Sequence, residues 1–85
     1  MASKKILKKN LNNMVFDIVE ECFSMQMWNP EKTSQTEGII DSAANFQDEM
    51  LTKINAAKSK SDFRPIRSEI ENAAVDFINK LNDLN

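Results

Sequence analysis

From Leu7 to Met25 an apolar residue recurs every three or four positions, at Leu7, Leu11, Met14, Ile18, Cys22 and Met25. That spacing lines one face of an α-helix and does not fit the strict alternation of a half-buried strand. The pattern returns twice. Ile39, Ala43, Phe46, Met50 and Ile54 form a second stripe, with Ile40 and Leu51 beside it. Phe63, Ile66, Ile70, Ala73, Phe77, Leu81 and Leu84 form a third. Asn29-Pro30 ends the first stretch, because the residue before a proline is pushed out of the α region. Lys58-Ser59-Lys60-Ser61 is a short polar connection before the third. A single glycine in 85 residues argues against an all-β fold, whose tight hairpins need residues that tolerate positive φ.

The expected fold is therefore all-α, one domain over residues 1–85, with helix 1 at about 4–28, helix 2 at about 34–57 and helix 3 at about 62–84. The start of helix 2 has two readings. Ser34 with Glu37 three residues on makes a capping box, whereas Asn29-Pro30 can serve as N-cap and first helical residue; the start near Ser34 is favoured. Ser61 is the expected N-cap of helix 3, which places Pro65 in its first turn. Helices of similar length, about 34–37 Å each, joined by short loops, favour an up-down-up antiparallel three-helix bundle. A bundle this small is marginally stable, and association would help it.

Helix 1 carries more apolar surface than such a bundle needs. Phe16, Phe23 and Met27 lie on a second side of it, and Val19 bridges the two sides. Two principal readings fit. Helix 1 is wedged between helices 2 and 3 and shows a face to each, or Phe16, Val19, Phe23 and Met27 form an interface with a second copy or another protein. Met25, Met27 and Trp28 are expected to close the end of the core.

Charge is the second excess. Thirteen acidic and eleven basic residues give a net charge of −2. In an up-down-up bundle, however, Lys4, Lys5, Lys8, Lys9, Lys53, Lys58, Lys60, Arg64 and Arg67 gather at one end, directly opposed by Asp62 alone. Asp17, Glu20, Glu21, Glu31, Glu37 and Asp41 collect at the other, against Lys32. The like-charge pairs Lys4/Lys8 and Lys5/Lys9 cost helix 1 a few tenths of a kcal/mol each, and cations at a helix N-terminus oppose its dipole. Lys4, Lys5, Lys8, Lys9, Lys58, Lys60, Arg64 and Arg67 are thus a candidate anion-binding patch. A solvated basic end with no ligand is the plainer reading, followed by an acidic protein partner, for which the acidic end of another copy qualifies. Nucleic acid ranks last, since Phe63 is the only stacking residue nearby and the isoelectric point is about 5.0.

Familiar catalysis lacks its parts. The chain has no histidine, so neither a Ser-His-Asp nor a Cys-His site can be built. Asp17/Glu21 and Glu37/Asp41 put carboxylates one turn apart but read as solvated surface. Cys22 falls on the main apolar stripe and reads as a buried, inert thiol. A lone cysteine argues against an oxidising compartment, and neither a signal-peptide core nor a membrane-length apolar run is present. The expectation is a cytoplasmic, non-enzymatic protein with no metal, no cofactor and no membrane partner.

The pattern Lys4-Lys5-x-Leu7-Lys8-Lys9-x-Leu11-Asn12, the Glu21-Cys22-Phe23 segment before the Asn29-Pro30 break, and the later Phe63–Ile66 and Phe77–Leu81 stretches resemble small uncharacterised helical-bundle proteins of gut-type bacteria. The resemblance covers nearly the whole chain and implies a compact helical domain. That family has no assigned activity, so it lends no functional residue. The residues themselves favour an interaction or assembly module that self-associates through helix 1, as a homodimer or on another protein. The alternative is a nucleic-acid-associated accessory protein acting through the basic end.

Overall fold

The computed structural model describes residues 3–84. Three helices, α1 (Ser3–Trp28), α2 (Thr33–Ala56) and α3 (Lys60–Leu84), and a 3-10 turn at Pro30–Lys32 account for nearly all of them, with no strand among the described residues. Cross-helix partners give the topology. Lys4 donates to the Asn55 carbonyl at 3.3 Å, Gln47 to the Asn12 side chain at 2.7 Å, and Gln26 to the Thr36 hydroxyl at 2.8 Å. Partners on α2 thus descend as α1 ascends. The Lys53–Glu69 ion pair and the edge-to-face Phe46–Phe77 pair, with ring centroids 6.2 Å apart, run the same way between α2 and α3. The fold is an up-down-up three-helix bundle, 45 Å long and 16 Å across.

The three stripes meet in one core. Leu7, Leu11, Val15, Ile18, Cys22 and Met25 enter it from α1. Ile39, Ala43, Met50 and Ile54 enter from α2, and Ile66, Ile70, Phe77 and Leu81 from α3. Met14, Phe46, Phe63, Ala73 and Leu84 pack half-buried around them. Among the described residues one polar side chain, Thr36, is fully buried. Its hydroxyl accepts from Gln26 and donates back to the carbonyl of Thr33 or Lys32, at 3.0 and 3.1 Å, so it has no unmet bond.

α2 starts within one residue of the favoured Ser34, but the caps and the start of α3 differ from the sequence expectation. At the first break, Asn29 leaves the helical region, with φ −137° and ψ 75°, and Pro30 opens the 3-10 turn. That turn feeds straight into α2 at Thr33, whose hydroxyl donates to the Pro30 carbonyl at 2.6 Å. No side chain caps α2, and Ser34 is already its second residue. The capping box has no task because the 3-10 turn already leads into the helix. At the second break α3 begins at Lys60, not near Asp62. The Ser59 carbonyl accepts from the backbone N–H of Asp62 and of Phe63, at 3.0 and 3.2 Å, which makes Ser59 rather than Ser61 the residue before the helix. The Asp62 carboxylate turns back to accept from the Lys58 N–H at 3.0 Å, closing the link. Pro65 therefore lies inside α3, where it has no N–H to offer the Ser61 carbonyl.

Candidate interaction surfaces on α1 and α3

Both neighbours of α1 pack around a single arc of it, so its second apolar side has nothing to lie against. Phe16, Phe23 and Met27 are 62%, 56% and 76% exposed. The wedged reading, in which a neighbouring helix covers them, does not hold. Val19 separates from this set, because it is half-buried and packs on the core. Trp28 is 79% exposed, so Met27 and Trp28 do not close the core as expected; Met25 alone of that trio is buried. The end of the bundle is closed instead by the Gln26–Thr36 hydrogen bond and the 3-10 turn that follows α1.

The basic end is divided. Lys60, Arg64 and Arg67 of α3, with Ile6, Leu7 and Phe63, line a groove of about 340 Å³ between the starts of α1 and α3. Lys4, Lys5, Lys8, Lys9 and Lys58 do not line it, and Lys8 is half-buried. More acid opposes this end than Asp62 alone. Lys53 makes two bonds to the Glu69 carboxylate, at 2.9 and 3.1 Å, and that hydrogen bonding is the main reason its pKa is raised. Arg67 reaches Glu71 at 3.4 Å on an exposed face, a pair of little energetic weight. Asp62 itself is engaged by the Lys58 N–H.

A second section of about 560 Å³ shares Asn10 with the first, and its walls include Met14, Asp17 and Glu21 of α1 and Ala74 and Ile78 of α3. Ile6 and Ile78, 55% and 50% exposed, stand on this seam, and Val75 of α3 is exposed as well. The sequence stripes did not single out these residues. Their signal was small: each of Ile6 and Ile78 sits next to a core residue, Leu7 and Phe77, just off the buried arc.

Among the described residues no three His, Cys, Asp or Glu groups come close enough to hold a metal ion. Cys22 is fully buried, and burial, with a smaller push from Glu21, raises its thiol pKa, which opposes nucleophilic reactivity. No described helix is long and apolar enough to cross a membrane. Comparison with protein-family models, curated proteins and solved structures yields no match.

Proposed function

We propose that this protein is a non-enzymatic helical assembly module that associates with itself through the C-terminal half of α1. The observation that carries the reading is the exposure of Phe16, Phe23 and Met27 on one side of one helix. Large apolar residues scattered singly are ordinary on a protein surface, but three on one line are an interface in waiting. At these exposures they offer about 400 Å², against the roughly 800 Å² per partner of a standard interface. The stripe thus anchors an association that other surface must complete, and micromolar affinity is the expected range. Charge sets the direction. Two α1 helices side by side in parallel would set Lys4, Lys5, Lys8 and Lys9 against their own copies, whereas antiparallel they meet Asp17, Glu20 and Glu21.

A cytoplasmic setting fits the lone, buried thiol. Nucleic acid is the weaker partner, because Phe63 is half-buried and leaves little ring face for stacking at the basic end. The test is solution mass by light scattering behind a sizing column, at low and high salt. Association that survives high salt and is lost in Phe23→Glu supports the reading. A strict monomer of 9.7 kDa at every concentration would sink it.

A further inference from the structure

The seam between α1 and α3 is less filled than the seam between α1 and α2. α1 packs more extensively on α2 than on α3, and α3 brings the small Ala74 to the seam. The result is the two-part groove, joined at Asn10, with buried Leu7, Ile18 and Leu81 in its lining. Ile6 and Ile78 stand half-exposed beside them. Its charges are sorted: Lys60, Arg64 and Arg67 at one end, Asp17 and Glu21 at the other.

We propose that this groove receives α1 of a second copy, laid antiparallel with its apolar stripe facing in; the proposal rests on the self-association reading and names the receiving surface. Charge order makes the first case. α1 runs from Lys4, Lys5, Lys8 and Lys9 to Asp17, Glu20 and Glu21, so reversed it sets cations on the groove's acidic end and acids on its basic end. One register serves Lys9, Glu20 and the apolar stripe at once. With Phe16 of the second copy at Met14, its Glu20 falls level with Asn10 and Arg67, and its Lys9 level with Glu21. Its Phe23 and Met27 then reach the Leu7–Phe63 end.

Area makes the second case. Stripe on stripe would cover about 400 Å² per copy, half of a standard interface. Stripe in groove adds Ile6, Ile78 and the charged rims. Symmetry follows from position. The stripe and the groove lie on different flanks of α1, so one copy can offer its stripe while receiving another's. The contact is heterologous, and assembly runs head to tail past the dimer.

The test is complementation between two variants, followed by light scattering and sedimentation over a concentration series. Phe23→Lys, which would set a cation against Lys60, Arg64 and Arg67, breaks the stripe and keeps the groove; Ile78→Lys breaks the groove and keeps the stripe. Both positions are at least half exposed, and circular dichroism checks that each variant stays helical. Arg64→Glu, at the other end of the groove, is a second groove variant with no core packing to lose. The wild type is expected to grow past dimer mass. Each variant alone is expected to associate roughly 30-fold more weakly, and an equimolar mixture of Phe23→Lys and Ile78→Lys to form a one-to-one complex. Wild-type-like association by both Ile78→Lys and Arg64→Glu would overturn the groove while leaving self-association through α1 standing. So would a mixture that stays monomeric while the wild type associates. A monomeric wild type at every concentration would overturn both.

Discussion

Gly38 is the one glycine of the chain, and nothing in the bundle calls for it. It lies inside α2, as the sixth residue of the helix, with a φ outside the left-handed region. A Cβ built on it would meet nothing within 4 Å. Glycine inside a helix is about 0.8–1.0 kcal/mol less favourable than alanine, because the unfolded chain is freer and the helical backbone less shielded. Gly38→Ala is therefore expected to stabilise the protein by about 1 kcal/mol. Unfolding entropy near 2.1 cal/mol/K per residue gives about 180 cal/mol/K for 85 residues, so the melting temperature should rise by about 5 °C. The urea midpoint should move up by roughly 0.7–1 M if the slope is about 1 kcal/mol/M. The assay is the helical dichroism signal against temperature and urea, repeated over a concentration series because association itself raises apparent stability. Gly38→Val should gain less, since a β-branched side chain loses rotamers in a helix. A melting temperature that is unchanged or lower in Gly38→Ala, at every concentration, would refute the reasoning.

The exposed and buried sides of α1 should respond differently to truncation. Leu11 is fully buried, and Leu11→Ala should cost about 2–5 kcal/mol, a large part of the roughly 4–13 kcal/mol expected for a domain of this size. Phe16→Ala should cost the monomer under about 1 kcal/mol; urea midpoints compare them, and similar losses would mean the stripe is packed in the monomer. Alkaline pH should weaken the fold. Cys22 has a folded pKa above the ordinary thiol value of 9.0 because burial disfavours the thiolate. Above pH 9 the unfolded chain sheds a proton that the native state keeps, so stability falls until the folded pKa is passed. Lys53, its pKa raised above 10.5 chiefly by its hydrogen bond to Glu69, loses its contribution as pH rises through that raised value. Urea midpoints should therefore decline from pH 8 to 10.5, less steeply in Cys22→Ala, and a flat profile would contradict the burial of that thiol.

Much of this architecture could be read from spacing. Ile54 and Leu81 are buried because they sit where a 3.6-residue repeat puts them, and no later force moved them. Thr36 escaped because a hydroxyl reads as surface until its partners are known, and those partners are a carbonyl one turn back and Gln26 across the helix pair. The caps escaped for a related reason. Ser34, Ser59 and Ser61 are equally good N-cap residues by type, and loop closure chose among them: Asp62 catching the Lys58 N–H fixes α3 to begin at Lys60. The grooved seam was the least legible, because Ile6 and Ile78 differ from core residues only by one step around their helices. That step becomes exposure only once the third helix sits where it does.

The two excesses of α1 belong together. Its first turn has no acid and its last turn no base, the reverse of what its own dipole favours. Its lysine pairs repel one another by a few tenths of a kcal/mol each. Its stripe leaves about 400 Å² of apolar surface in water, worth about 10 kcal/mol at 25 cal/mol per Å² if buried. None of this helps an isolated three-helix bundle, and the monomer relieves only a part of it, where Lys4 reaches the Asn55 carbonyl in the last turn of α2; the stripe stays bare, since α2 and α3 occupy a single arc of α1. An antiparallel neighbour relieves all three at once. It brings acids to the lysines, the negative end of a dipole to the positive one, and apolar cover to Phe16, Phe23 and Met27. Nearly any partner helix could satisfy the apolar term. The charge order selects one whose acids lie at its C-terminal half and whose cations lie at its N-terminal half, and α1 itself has that order.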